Sequence, residues 1–150
     1  MNESIKVVHL EHTDGTRSDV TAFDSGVTAR AVAFHQGLPD YAPTPLADLK
    51  RLAAGLGLGR LAVKDESKRF GLNAFKGLGT SYAVARYLAQ YLDIPESEMT
   101  YENLQKPEYR ERLRMLTLVT ATDGNHGRGV AWAARELGQN AVVHMPKGTT

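Results

Sequence analysis

The chain has 150 residues, 42% of them hydrophobic and 23% charged, with a formal net charge of +1 at pH 7. That length holds one modest domain, and the composition is ordinary for a soluble protein. Scattered basic residues exclude a nucleic-acid footprint, no run reaches membrane-spanning length, and the absence of cysteine excludes disulfides, thiolate metal sites and cysteine nucleophiles. The start, Met1-Asn2-Glu3-Ser4-Ile5-Lys6, has no apolar signal region. A cytoplasmic protein is expected.

In chain order, residues 5–10 fit a short strand and Asp14-Gly15 a turn. An Ala-rich stretch over 28–36 reads as helix, ended by Gly37-Leu38-Pro39. Tyr41-Ala42-Pro43-Thr44-Pro45-Leu46 is extended and then enters a helix, with Thr44 as N-cap and Pro45 at the first helical position. Leu46, Leu49, Ala53 and Leu56 follow at helical spacing until Gly55, Gly57 and Gly59 stop the helix. Residues 61–64 form a short strand and 74–92 a helix. The charged stretch 95–114 reads as a surface connection, with a helix at most over 108–115. Thr117-Leu118-Val119-Thr120-Ala121 and 140–145 are apolar and β-branched, as buried strands are. Between them runs an Ala-rich helix over 125–137, capped by Gly138. Strand, helix, strand with short links predicts an α/β fold with a parallel sheet and right-handed crossovers. Lys147-Gly148-Thr149-Thr150 falls where a strand has ended and a helix should begin, so the sequence reads as the front part of a longer protein.

Two stretches carry chemistry. In Arg69-Phe70-Gly71-Leu72-Asn73-Ala74-Phe75-Lys76-Gly77-Leu78-Gly79, a loop opens a helix. With Asn73 as N-cap, Lys76 lies in the first turn, at the positive helix end. Held there against Phe75, Leu78 and Tyr82, its ammonium would lose protons more readily and the amine would become nucleophilic. A solvated lysine snorkelling out of the turn fits the same residues. The second stretch, Thr122-Asp123-Gly124-Asn125-His126-Gly127-Arg128-Gly129, joins a strand to a helix, at the edge where open parallel sheets bind ligands. Gly124 and Gly127 would let a ligand approach the backbone, Asp123 could act as a base and Asn125 as a hydrogen-bond donor. Capping by Asp123 and a tight turn explain the same residues. Phosphate-loop and dinucleotide fingerprints are missing, as are paired histidines at helical metal spacing, so no metal is expected from His126 and Asp123. His9 and His12 read as exposed, His144 as facing the core or a cleft, and Trp132 and Tyr82 as core or interface residues rather than stacking platforms.

Tyr41-Ala42-Pro43-Thr44-Pro45-Leu46, Lys64-Asp65-Glu66-Ser67, the Arg69 to Gly79 run and Thr122-Asp123-Gly124-Asn125-His126-Gly127 follow one another in this order. That series resembles the pyridoxal-phosphate enzymes of the tryptophan-synthase-β fold type, fold type II. Threonine dehydratases and serine racemases have Ser-Ser-Gly-Asn-His in the second motif. Asp123 in place of serine makes the chain similar to the diaminopropionate ammonia-lyase family. The resemblance implies a three-layer fold with a mostly parallel sheet and flanking helices, incomplete at the C-terminus. It implies a division into residues 1–95, the N-terminal part of a larger cofactor domain, and 96–150, the start of a smaller α/β domain. It implies that Lys76 holds pyridoxal 5'-phosphate as a Schiff base, that Asn125 sits beside the ring hydroxyl with Gly124 close to the cofactor, and that Asp123 takes the α-proton of the D-substrate while Lys76 serves the L-substrate. The implied reaction is α,β-elimination from D- and L-2,3-diaminopropionate to pyruvate and ammonia, in a homodimer with no nucleic-acid or membrane partner. A dehydratase or racemase on the same fold is the alternative enzyme. A non-catalytic truncated remnant is the other alternative, because the family's glycine-rich phosphate loop and the residue facing the pyridine nitrogen are not in these 150 residues. By itself the chain is expected to be inactive.

Overall fold

The computed structural model describes residues 19–122 and 124–149. The strand and turn expected near the start, His9, His12 and Asp123 lie outside the described residues.

After a short 3-10 turn, Thr21–Phe23, helix α1 spans Ser25–Gln36. Asp24 caps it, accepting from the Val27 N–H at 2.7 Å. The chain then departs from expectation. Thr44 and Pro45 do not open a helix; Leu46–Asp48 is strand β1, and helix α2 comes later, at Lys50–Gly55. β1 pairs antiparallel with β2, Ala62–Lys64, Leu46 opposite Lys64 and Asp48 opposite Ala62. The reason is a competition that no local pattern reveals. The Pro45 carbonyl accepts from the Asp65 N–H at 2.8 Å, and the Thr44 hydroxyl is taken by the side chains of Glu66 and Arg69. A cap residue whose oxygen is engaged elsewhere cannot serve a helix start.

Helix α3, Lys76–Tyr91, buries Gly77, Ser81, Ala85, Leu88 and Ala89, a stripe at helical spacing made mostly of small residues. Its main partner is helix α6, Asn125–Leu137, which buries Gly127, Gly129, Val130, Trp132, Ala133, Ala134 and Leu137. Small residues on both faces allow a close crossing. A Cβ on Gly129 would lie 3.2 Å from the Lys76 carbonyl carbon and oxygen, tighter than ordinary packing.

The charged stretch after residue 95 is more than a surface connection. It forms two short helices, α4 (Tyr101–Leu104) and α5 (Pro107–Leu113), and delivers Leu104 and Leu113 fully buried to the core. Each helix is too short to show a period in the sequence. One cluster joins Phe34, Leu38, Leu88, Leu92, Met99, Leu104, Leu113, Trp132 and Leu137, so a single core runs across position 95.

Strands β3, Thr117–Ala121, and β4, Asn140–His144, pair in parallel, with α6 as the crossover between them. Gly138, at φ 82°, ends α6 in the left-handed conformation that favours glycine. This unit matches the sequence reading except in burial. Leu118, Thr120 and Val143 are partly covered on the α6 side, whereas Val119 (64% exposed) and Val142 (43%) are open on the other. Strands of this composition are ordinarily covered on both faces; among the described residues α6 covers one.

Gly127 joins α6 to that sheet. A Cβ there would come within 2.4 Å of Thr122 Cγ2 and 2.6 Å of Val143 Cγ1. Gly127→Ala should therefore push α6 off β3 and β4 and cost about 1–3 kcal/mol, read as a lower urea midpoint; an unchanged midpoint would show that the contact can relax freely.

Candidate active site

Lys76 is the first residue of α3. The helix entry differs from the one expected. Asn73 is not an N-cap: it sits at φ 54°, in the left-handed region, and Phe75, with helical backbone and no side-chain cap bond, precedes the helix. The approach turns left-handed at Phe70 (φ 50°), Gly71 (φ 67°) and Asn73. Asn and Gly enter this region readily, whereas for a bulky residue it costs about 1–2 kcal/mol. Phe70 is held there by packing. Its ring stacks on Trp132 of α6 with centroids 4.3 Å apart and planes at 21°.

The Lys76 side chain is exposed, not pressed into apolar surface. Of the three apolar neighbours expected to shelter it, Phe75 lies alongside, with the Lys76 Nζ 5.8 Å from its ring centroid, but is itself 60% exposed. Leu78 is half-buried, and Tyr82 packs inward against Phe34 and His35. The His35 Nε2–H donates to the Leu78 carbonyl at 2.8 Å, tying α1 to the first turn of α3. Burial pushes the His35 imidazole below its ordinary pKa, with the Leu78 bond opposing.

Lys76, Gly124, Asn125 and His126 line one concavity. They meet there because α3 and α6 begin at the same end of their crossing, with Gly129 against the Lys76 backbone. Among the described residues no side chain caps α6; the Gly124 N–H turns back to the Thr122 hydroxyl at 3.2 Å. The first N–H groups of the helix therefore lack intrahelical partners, at its positive end. Nothing lies within 4 Å of a Cβ built on Gly124, so its backbone is open to the concavity. Gly127 was expected to open the backbone too, but it is buried against the sheet. His126 also borders an adjoining apolar hollow with Phe75, Lys76, Leu78, Ala83 and Val84. His144 is exposed at the end of β4. Among the described residues, no three His, Asp or Glu side chains gather as a metal site requires.

The sequence reading missed a buried polar knot below this site. Arg69 is 5% exposed. It donates from Nε to Glu66 Oε2 at 2.9 Å, from Nη1 to the Ala42 carbonyl at 2.8 Å, and from Nη2 to Glu66 Oε1 at 3.2 Å and Thr44 Oγ1 at 3.3 Å. The Thr44 hydroxyl donates to Glu66 Oε1, and Lys64 Nζ donates to the Thr44 carbonyl. The Arg69 bonds, then the Thr44 bond, hold the Glu66 carboxyl below the usual carboxylate range. The signal was present: Thr44, Lys64, Glu66 and Arg69 all belong to the motif segments, but no local pattern marks them as mutual partners.

Residues 38–150 match the family model described as pyridoxal-phosphate dependent enzyme. The chain belongs to that family. Within it, the chain is 52% identical over 136 residues to the diaminopropionate ammonia-lyase of Salmonella typhimurium, covering 91% of this chain and 34% of that protein. It is 50% identical over 127 residues to the Escherichia coli enzyme of that name, covering 85% of this chain and 31% of that protein. The apo crystal structure of the E. coli enzyme superposes with a TM-score of 0.77 at 47% identity, over 87% of this chain and 34% of that one. Structures of that enzyme with D-serine (TM-score 0.77, 46% identity, over 87% and 32%) and with an aminoacrylate-PLP azomethine reaction intermediate (0.73, 45%, over 87% and 31%) also match. The chain thus spans about a third of the length of these relatives. Its fold is that of the fold type II enzymes.

The helix entry gives a sharp test. If Asn73 serves as a left-handed residue, Asn73→Gly should leave stability nearly unchanged and Asn73→Ser should cost about 1 kcal/mol. An N-cap would accept Ser at least as well as Gly. Urea unfolding of the two variants ranks them; Ser tolerated and Gly costly would restore the cap.

Proposed function

We propose that this chain carries the lysine side of the pyridoxal-phosphate site in a lyase that eliminates ammonia from 2,3-diaminopropionate. The observation that carries this reading is that Lys76 and the start of α6, Gly124 to His126, line one concavity. The residues there fit the group. A primary amine suits its aldehyde, the Asn125 amide suits its ring hydroxyl, and the open backbone at Gly124 leaves room for a flat ring. When bound, pyridoxal phosphate supplies the electron sink for negative charge developing at the substrate Cα.

The protein's own groups do the rest. Lys76 would hold the cofactor through its amine, and the same amine would take the α-proton of the L-substrate. Asp123 would take the α-proton of the D-substrate. Asn125 holds the ring plane so that the Cα–H bond, and then the Cβ–N bond, can break. Nitrogen leaves from Cβ as ammonia; the released 2-aminoacrylate tautomerises to its imine and takes up one water, giving pyruvate and a second ammonia. The complex of the E. coli relative with D-serine supports a site that admits D-amino acids. On this reading the protein is a cytoplasmic homodimer with a small amino-acid substrate and no nucleic-acid or membrane partner. Among the described residues no helix is long and apolar enough to cross a membrane.

Borohydride reduction of the intact, cofactor-loaded gene product should leave the pyridoxyl group on Lys76, located by peptide mass spectrometry. An adduct on another lysine overturns the assignment, and Lys76→Ala should reduce pyruvate formation to background. Asp123→Asn should slow turnover of D-2,3-diaminopropionate on the order of a hundredfold while sparing the L-isomer and cofactor attachment. Equal loss on both isomers would make Asp123 a structural cap instead.

A further inference from the structure

We infer that Arg69 is a positioning residue for Lys76, acting through Phe70. The inference rests on the reading that Lys76 carries the cofactor. Arg69 does not line the concavity with Lys76, so any influence on the amine must pass through the fold. Its guanidinium is almost fully buried and uses three donor nitrogens on Glu66, Ala42 and Thr44. Removing a charge from water is costly unless the pairing is good. Here the pairing joins the extended segment 42–44 to the loop 66–72. The guanidinium carbon also lies 5.4 Å from the Tyr41 ring centroid and 5.6 Å from that of Phe70.

The next residue is the strained one. Phe70, at φ 50°, sends its ring under the start of α3. A Cβ on Gly77 would lie 3.3 Å from Phe70 Cδ2 and 2.9 Å from Leu72 Cδ1. The loop is thus a wedge beneath the residue that follows Lys76. On the other side Gly129 rests on the Lys76 backbone. Lys76 is gripped between a wedge and a helix, and the wedge keeps its left-handed turn only while both ends are held: Arg69 on the loop side, Trp132 on the α6 side. Without the guanidinium fork, Phe70 can relax to ordinary backbone angles. The first turn of α3 then shifts against Asn125. A displacement of about 1 Å in a reacting group can cost a hundredfold in rate. Lysine at this position keeps the charge but not the fork.

The test uses the intact gene product as apoprotein, with the variants Arg69→Met, Arg69→Lys, Phe70→Ala, the Arg69→Met/Phe70→Ala pair, and Leu104→Ala. The last removes core volume far along the chain from the site. Four quantities are read: unfolding midpoint, solvent exposure of Trp132 by oxidative footprinting and peptide mass spectrometry, the rate of covalent pyridoxal-phosphate attachment followed by absorbance, and the lysine labelled on borohydride reduction. Arg69→Met should attach the cofactor ten- to a hundredfold more slowly and expose Trp132, with Arg69→Lys between it and wild type. Leu104→Ala should lower the midpoint without slowing attachment. The double variant should be no slower than Phe70→Ala alone, because both act on one wedge. Attachment at the wild-type rate in folded Arg69→Met, the same slowing in Leu104→Ala, or additive losses in the double variant would each overturn the inference. If Arg69→Met does not fold, Glu66→Gln, which weakens the same clamp, is read by the same criteria. A wild-type adduct on a lysine other than Lys76 would sink the functional reading itself; an adduct on Lys76 with unaffected Arg69 variants would sink only this inference.

Discussion

The contact between Gly129 and the Lys76 backbone determines where the site can be. It brings two helix starts to the same end of a crossing, although about fifty residues of chain separate them. Any side chain at Gly129 would meet the Lys76 carbonyl at 3.2 Å and force the helices apart. The same economy of volume recurs at Gly77, over Phe70 and Leu72, and at Gly127, against Thr122 and Val143. Three glycines thus seat a loop on a helix, one helix on another, and that helix on a sheet. Ordinary cores tolerate volume-conserving exchange of apolar residues, but a site built on backbone contact leaves no volume to exchange.

Much of this was legible in the sequence, and the pattern of what was not is informative. The β3–α6–β4 unit could be read from residue types because every local signal agrees: β-branched strands, an Ala-rich helix, and Gly138 where a left-handed stop is needed. The Lys76 helix was legible for similar reasons. The failures occur where one residue type suits two roles. Asn favours both an N-cap and a left-handed turn, and at Asn73 the turn holds. Thr44 before Pro45 is a strong helix start, yet its hydroxyl serves Glu66 and Arg69, more than twenty residues away. Gly127 could admit a ligand or a sheet, and it admits the sheet. Arg69 lies in the polar run Glu66-Ser67-Lys68-Arg69, where nothing local distinguishes a buried guanidinium from a solvated one.

The surroundings of Lys76 differ from those the sequence suggests. The sequence suggested burial against apolar side chains as the source of an activated amine. In the structure Phe75 and Leu78 offer only a partial wall, and Tyr82 belongs to the core. Within these residues the packing acts on position: the Arg69 knot and the Phe70–Trp132 stack converge on the backbone of Lys76, and the crossing of α3 and α6 brings Lys76 to one concavity with Asn125 and His126.

Placement has an electrostatic side as well. Both α3 and α6 present their positive ends to the concavity, and neither has an acidic residue in its first turn. Helix starts in proteins are commonly balanced by Asp or Glu, or by a capping oxygen. The acid nearest in sequence to the α6 start is Asp123, directly before Gly124. The Lys76 amine, the Asn125 amide and the two helix starts are donors that suit an oxygen-bearing group, in keeping with the pyridoxal-phosphate family to which the chain belongs.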